Sequence, residues 1–226
     1  MNRAPESKTD AALVVLSGGQ DSTTALFWAS HRYARVSALT FAYGQKHGRE
    51  IDCARRIAAL AGVPHRVMEL DLFRAAGVST LVNGGQPRPH PGLPDTFVPG
   101  RNLVFLTHAA VIAYREGAHT IVAGMSQVDY SGYPDCRREA IDALAQALAL
   151  GMDFPVRIVT PLIDLSKAAI VKLAVAEGCL AMLAHTHTCY TGAYPPCGSC
   201  AACRLRAKGF GEAGIPDPLL AADGAP

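Results

Sequence analysis

Between Leu16 and Leu26 the chain reads LSGGQDSTTAL, which places two adjacent glycines, four hydroxyls and a carboxylate at the end of an apolar run. Successive backbone N–H groups in a glycine-rich turn form a concave anion site, and a helix starting there adds its positive end. Gly18 and Gly19 let phosphate oxygens approach the main chain with no Cβ in the way. Ser17, Ser22, Thr23 and Thr24 supply further donors. Asp21 would repel a phosphate unless a divalent cation lay between them, so its presence implies Mg²⁺. The spacing is neither Walker A nor the dinucleotide Gly-x-Gly-x-x-Gly. The plainer reading of a bare Ser-Gly-Gly is a tight strand-to-helix turn with a Ser or Asp cap. The chemistry expected here is the handling of a nucleotide's phosphates.

A second constellation lies near the other end of the chain. Cys189, Cys197, Cys200 and Cys203 form a C-x7-C-x2-C-x2-C array, holding four of the seven cysteines. Four thiolates suit tetrahedral Zn²⁺ and leave no open position, so the expected role is structural. The spacing alone also admits an iron–sulfur cluster, and a zinc ribbon that binds nucleic acid. Arg204, Arg206 and Lys208 follow at once and are expected to offset the thiolate charge. His185 and His187 are left out of the ligand shell. Cys53, Cys136 and Cys179 read as small buried hydrophobes or inert thiols.

The elements that must carry these groups follow from hydrophobic periodicity. Ala11–Leu16, Val36–Phe41, His65–Leu70, His119–Ala123 and Val156–Val159 read as strands. Ser22–Ser30, Arg49–Ala61, Asn102–Glu116, Arg137–Leu150 and Ser166–Glu177 read as helices, the second with a one-sided stripe of Ile51, Ala54, Ile57, Ala58 and Ala61. Such alternation predicts an α/β fold, a parallel sheet with helices on both faces, and ligands beyond the carboxyl ends of its strands. Residues 1–10 are expected to be disordered, 11–180 to form the nucleotide domain, 181–210 the cysteine segment, and 211–226 a fraying tail. Phe73–Arg101, rich in Pro and Gly, reads as a lid or binding loop, and Gly124–Asp135 as a loop at the sheet's carboxyl edge. His47 to Glu50 reads as the face of a helix start.

With 226 residues, half of them apolar, the chain suffices for one domain, and a net charge of +2 argues against a long duplex footprint. Residues 1–10 lack the apolar middle of a signal peptide, and the first apolar run is too short to span a bilayer. A cytoplasmic protein with no membrane and no nucleic-acid partner is the expectation.

The segment SGGQDST resembles the PP-loop of the ATP pyrophosphatase superfamily, with its adenine nucleotide alpha hydrolase-like fold. There the loop grips the β- and γ-phosphates while a substrate oxygen attacks the α-phosphorus. SGGQDSTT, FAYGQKHGREI, TFVPGRN, DYSGYPDCR, TPLIDLSKAAIVKLA and the four-cysteine tail together are similar to the QueC family of 7-cyano-7-deazaguanine synthases, in order from about Ala11 to Phe210. Met125 and Ser126 depart from that pattern.

The resemblance implies ATP-dependent conversion of 7-carboxy-7-deazaguanine and ammonia to 7-cyano-7-deazaguanine in queuosine biosynthesis, with Mg²⁺, one structural zinc on the four cysteines and a homodimer. It leaves the nucleotide balance open between AMP with pyrophosphate, which the loop logic favours, and ADP with phosphate. Leu16 through Leu26, including Gln20, Ala25 and Leu26, correspond to the ATP-binding loop. Asp21, Arg101 and Lys167 take the catalytic positions, the cations offsetting charge as pyrophosphate departs. A guanine-like edge presents two adjacent donors that one carboxylate can accept, and Asp129 and Asp135 are the candidates. Tyr130, Tyr133 or Phe97 are expected to cover the ring face, and Arg137 completes the substrate set. Other readings are a relative that stops at the amide, a tRNA thiolase with a catalytic cysteine near the nucleotide, and a zinc-stabilised nucleic-acid-binding module without catalysis.

Overall fold

In the strand Ala11–Val15 (β1), side chains alternate between two interiors, and the molecule is organised around that alternation. Ala12 and Val14 point to one face, where Ala25, Leu26, Ala54, Ile57 and Ile170 pack. Leu13 points to the other, against Leu106, Ala109, Ile121 and Ile141. A strand buried on both faces must read as an unbroken apolar run, as AALVV does. The computed structural model describes residues 10–45, 47–76, 79–82, 92–93, 96–127 and 133–221.

Elements alternate along the chain: α1 (Gln20–Arg32), β2 (Arg35–Ala42), α2 (Arg49–Leu60), β3 (His65–Glu69), α3 (Leu72–Ala76), α4 (Arg101–Glu116), β4 (Thr120–Ala123), α5 (Arg138–Gly151), β5 (Arg157–Val159), α6 (Lys167–Ala176), α7 (Ala201–Ala213) and α8 (Pro218–Ala221). All strand pairings are parallel, in the order β3-β2-β1-β4-β5. The chain reverses direction across the sheet between β1 and β4, and in such sheets the crevice at that reversal receives ligands. The five strands and five longer helices expected from periodicity are therefore present, each within a few residues of its expected bounds.

The apolar stripe of α2 faces the sheet, with Ala54, Ile57 and Ala58 buried. Burying a side chain the size of Ile57 is worth roughly 1.5–3 kcal/mol. Helix α6 starts with the hydroxyl of Ser166 accepting the amide N–H of Ala169 at 3.2 Å, a cap worth about 1 kcal/mol. That cap fixes where Lys167, the first helical residue, emerges.

Two sequence expectations change. The cysteine segment is not a separate unit: α7 packs on α6, and Phe210 shares a buried cluster with Val171, Ala174, Cys179 and Leu183. Residues 211–221 are packed, not frayed. Leu219 is 2% exposed, and Asp217 accepts hydrogen bonds from Arg206 Nε at 2.6 Å and Nη2 at 2.8 Å. Within Phe73–Arg101, read as a lid or binding loop, Phe73, Val82 and Val98 form a cluster with Tyr43 at the end of β2. Residues 1–9 and 222–226 lie outside the described residues. Among those described, no helix is long and apolar enough to cross a membrane.

Candidate active site

The Ser17–Gly19 turn is shaped by the helices pressed against it. Gly18 has φ +85°, and a Cβ there would collide with the carbonyl oxygen of Glu50 in the first turn of α2. Both facts demand glycine. Gly124, after β4, is required for a related reason: its Cβ would lie 2.8 Å from the backbone of Asp21 and Ser22. The turn is braced from within. Ser17 N donates to Ser22 Oγ at 3.1 Å, and Ser22 Oγ and Thr23 Oγ1 donate to Gly19 O at 3.1 and 2.8 Å. Thr24 Oγ1 donates to Gln20 O at 3.0 Å.

Above the turn a cavity of about 340 Å³ opens at the carboxyl ends of β1, β2 and β4. Leu16, Ser17, Gly19, Gln20, Asp21 and Ser22 line it, as do Lys167 and Thr188. Lys167 Nζ donates to Asp21 Oδ2. The other oxygen of Asp21, the amide nitrogen of Gln20 and the hydroxyl of Thr188 are buried without a partner. Buried polar atoms are nearly always satisfied. Two unpaired donors and one unpaired acceptor around an anion-binding turn are what a phosphate group with a bridging cation would satisfy.

The lining also includes Tyr43, Glu50, Arg101, Phe105, Tyr133 and Cys136. Arg101 Nη1 donates to Tyr43 Oη at 3.2 Å, with the guanidinium 5.7 Å from that ring's centroid. Burial opposes its charge, but Tyr43 and Asp135 outweigh burial and hold the guanidinium protonated beyond its ordinary range. Burial likewise raises Tyr43. It pushes Glu50 up to about 7, against the lowering pull of Arg101.

The four expected cysteines converge, with their sulfurs within 4.8 Å of one another. Backbone N–H groups of Cys197 and Cys200 donate to Cys189 Sγ and Cys197 Sγ, both at 3.4 Å. The Ser199 hydroxyl and the backbone N–H groups of Cys200 and Ser199 pull the Cys197 thiol down to about 5. Donors aimed at sulfur favour thiolate, so the cluster fits a metal ion. The basic run does not gather around it as expected. Arg204 bonds the Ser199 carbonyl beside the cluster, but Arg206 turns to Asp217 and Thr186, and Lys208 pairs with Glu212. Cys189 also lines the cavity, so the cysteine cluster and the glycine turn share one strap, whose His187 backbone N–H donates to Gly18 O at 3.0 Å.

A sequence model of the family described as "Queuosine biosynthesis protein QueC" matches residues 11–214. The chain belongs to the QueC family. It is similar to a 7-cyano-7-deazaguanine synthase of Chromobacterium violaceum, 56% identical over 97% of this chain and 96% of the relative. A protein of the same name from Laribacter hongkongensis is 57% identical over 92% and 93%. Among solved structures, NMN synthetase from Francisella tularensis superposes with a TM-score of 0.54 at 14% identity, covering 97% of this chain and 80% of that one. That likeness concerns the fold alone.

Against this QueC scaffold the expected site residues separate. Six of the expected loop residues, Leu16, Ser17, Gly19, Gln20, Asp21 and Ser22, line the cavity, as do Arg101, Lys167 and Tyr133. Gly18 lies beneath it, and Thr23, Thr24, Ala25 and Leu26 are fully buried, the two threonine hydroxyls being spent on backbone carbonyls. These four support the turn from below. Asp135 is 5% exposed and accepts the N–H of Asn102 at 2.9 Å. It anchors the start of α4 and so positions Arg101. Phe97 sits behind Tyr133, ring centroids 5.4 Å apart, and Tyr133 Oη meets Thr96 Oγ1 at 2.9 Å. Arg137 is the N-cap residue of α5 and is absent from the cavity wall. Asp129 and Tyr130 lie outside the described residues.

Sequence reasoning missed His47 and Glu50, both of which line the cavity. The HGRE stretch does start a helix, as expected, but that helix butts against Gly18, so its first turn faces the ligand space. The available signal was positional: the segment follows β2 at the sheet's carboxyl edge, where ligands bind.

Proposed function

We propose that this chain is an ATP-dependent carbon–nitrogen ligase converting 7-carboxy-7-deazaguanine and ammonia to 7-cyano-7-deazaguanine, through an adenylated carboxylate and an amide. The observation that carries the reading is the Asp21–Lys167 pair at the mouth of a glycine turn whose neighbouring polar atoms lack partners.

A carboxylate is a poor electrophile, and transfer of AMP makes its oxygen a leaving group. The Gly19 amide, the Ser17 hydroxyl and Lys167 would receive the departing pyrophosphate, and donors fixed where charge develops lower the barrier without reorganisation. Asp21, with one oxygen unclaimed, would hold Mg²⁺, which supplies charge neutralisation when bound. Arg101 lines the same cavity, a cation suited to the reacting carboxylate. Tyr43, Phe105 and Tyr133 offer apolar faces for a flat heterocycle. Ammonia displaces AMP to give the amide. A second activation, on the amide oxygen, lets the nitrile form as AMP leaves.

Zinc on Cys189, Cys197, Cys200 and Cys203 would be structural, with all four positions taken by protein. It would hold the strap that carries His187 and Thr188 over the loop. A homodimer, a cytoplasmic location and the absence of a nucleic-acid partner belong to the same proposal. The thiolase alternative needs a nucleophilic cysteine. Cys136, the unclustered thiol lining the cavity, is pushed up to about 12, first by burial and then by Asp135, which leaves it protonated at neutral pH.

The test is incubation of the zinc-loaded protein with 7-carboxy-7-deazaguanine, ATP, Mg²⁺ and ammonium, with products identified by mass spectrometry. The nitrile together with AMP is expected. Amide as the end product would shift the assignment to a relative that stops halfway, and no consumption of nucleotide would refute adenylation.

A further inference from the structure

The nitrogen that enters as ammonia ends in a nitrile bearing no hydrogen, so every N–H bond must be broken inside the cavity. When nitrogen bonds to the acyl carbon, the C–O bond to AMP breaks, the electron pair leaves with the phosphate, and a proton must come off nitrogen. When the adenylated amide collapses, the second C–O bond breaks the same way, and the last N–H protons are lost. A proton acceptor is therefore required at the wall facing the reacting carbon.

Among the described residues, the carboxylates lining the cavity are Asp21 and Glu50. Asp21 is engaged by Lys167. Resting on the functional reading above, we propose that Glu50 is the proton acceptor for the nitrogen atom in both the amination and the nitrile-forming step. Its backbone touches the phosphate turn at Gly18, and it lines the same cavity as Asp21 and Arg101. Arg101 from α4 and Tyr43 from the end of β2 face it, and Cys53 stands one turn on in α2. His47, Lys167 and His187 also line the cavity. Only Arg101 among these lowers its proton affinity, and burial outweighs that, giving a group that titrates near 7. A base is most effective when its pKa lies near the working pH. His187, by contrast, meets the Cys189 carbonyl at 3.2 Å and belongs to the cysteine strap.

The decisive experiment compares the full zinc-loaded protein with Glu50→Gln in two assays. The first is pyrophosphate–ATP isotope exchange driven by 7-carboxy-7-deazaguanine without ammonium, which reads adenylation alone. The second is amide and nitrile formation across neutrality at fixed free ammonia. In the variant, exchange should stay within about twofold of wild type, with an unchanged KM for the deazapurine. Product formation should fall about 100-fold or more. The wild-type rate should rise with pH through about 7, as Glu50 ionises, and this limb should vanish in the variant. Exchange falling in parallel, or a raised KM for the deazapurine, would overturn the proposal in favour of a ligand-holding role. So would a pH limb that survives Glu50→Gln and disappears in His47→Gln. Wild-type protein without deazapurine-dependent exchange would instead overturn the functional reading, and this proposal with it.

Discussion

Lys167 donates its ammonium to the carboxylate of Asp21, joining the first turn of α6 to the first turn of α1 across the phosphate loop. The two side chains are only 13% and 24% exposed, so the pair is held where solvent screening is weak. The geometry suits a resting arrangement in which each group keeps the other in place until phosphates and a cation separate them. Lys167→Met should therefore lower kcat by about 100- to 1,000-fold, and Lys167→Arg should recover little, because a planar fork does not replace a compact ammonium. Steady-state kinetics with circular dichroism as a fold control checks this. A fully active Lys167→Met would remove the lysine from the charge-neutralising role. Asp21→Ala should abolish turnover with the fold intact.

The close approaches of Gly18 and Gly124 make separate predictions. Gly18→Ala adds a Cβ at φ +85° into the Glu50 carbonyl, and Gly124→Ala adds one 2.8 Å from the backbone of Asp21. Neither neighbour is the free end of a flexible side chain. Each should cost about 1–3 kcal/mol of stability and raise the KM for ATP by spreading the turn. Denaturant titration and ATP saturation curves report both, and Gly62→Ala, at a position with open space around its Cβ, is the control for strain from positive φ alone.

Removal of a cysteine ligand should act on both sites. Cys200→Ser leaves three thiolates, so bound zinc measured by elemental analysis should drop, with thermal stability lowered. Because Cys189 both joins the cluster and lines the cavity, turnover should fall as well. An active, zinc-free variant would show that the ion does not hold the strap.

Glu50 makes a prediction about stability opposite in sign to the one about rate. Its folded-state pKa is raised to about 7, chiefly by burial. Between its unfolded value and 7 the native state binds a proton that the unfolded state has released, so stability falls as pH rises through that window. Above pH 7 the penalty amounts to about 3 kcal/mol at most. Glu50→Gln, which cannot ionise, should match wild type at pH 4 and melt at a higher temperature than wild type at pH 8. Equal melting temperatures at both would show that the carboxylate is not desolvated.

Much of this was legible in the sequence. Strands buried on both faces and helices striped on one write the α/β alternation directly, and the glycine turn and cysteine spacing name their chemistry by residue type. Helix α7 was not legible, because Cys203, Gly209 and Gly211 interrupt its pattern. Gly209 is there since a Cβ would sit 2.7 Å from Lys167 Cβ, a reason found on another helix. The role of Asp135 was hidden likewise: a carboxylate in a Gly-Tyr-Pro-Asp turn looks available, yet it caps Asn102, 33 residues earlier. Arg206 looked like a partner for thiolates and instead ties α7 to Asp217. Glu50 looked like a surface helix start until Gly18 drew that helix over the cavity. In each case the missing information was a tertiary approach that local pattern does not encode.

The most direct test of the central claim is isotope exchange between pyrophosphate and ATP with the zinc-loaded protein, Mg²⁺ and 7-carboxy-7-deazaguanine, in the absence of ammonium. Label should enter ATP only when the deazapurine is present, and Asp21→Ala should abolish the exchange. Exchange that ignores the deazapurine, or persists in Asp21→Ala, would contradict the assignment of the Gly18–Gly19 turn as the site where its carboxylate is adenylated.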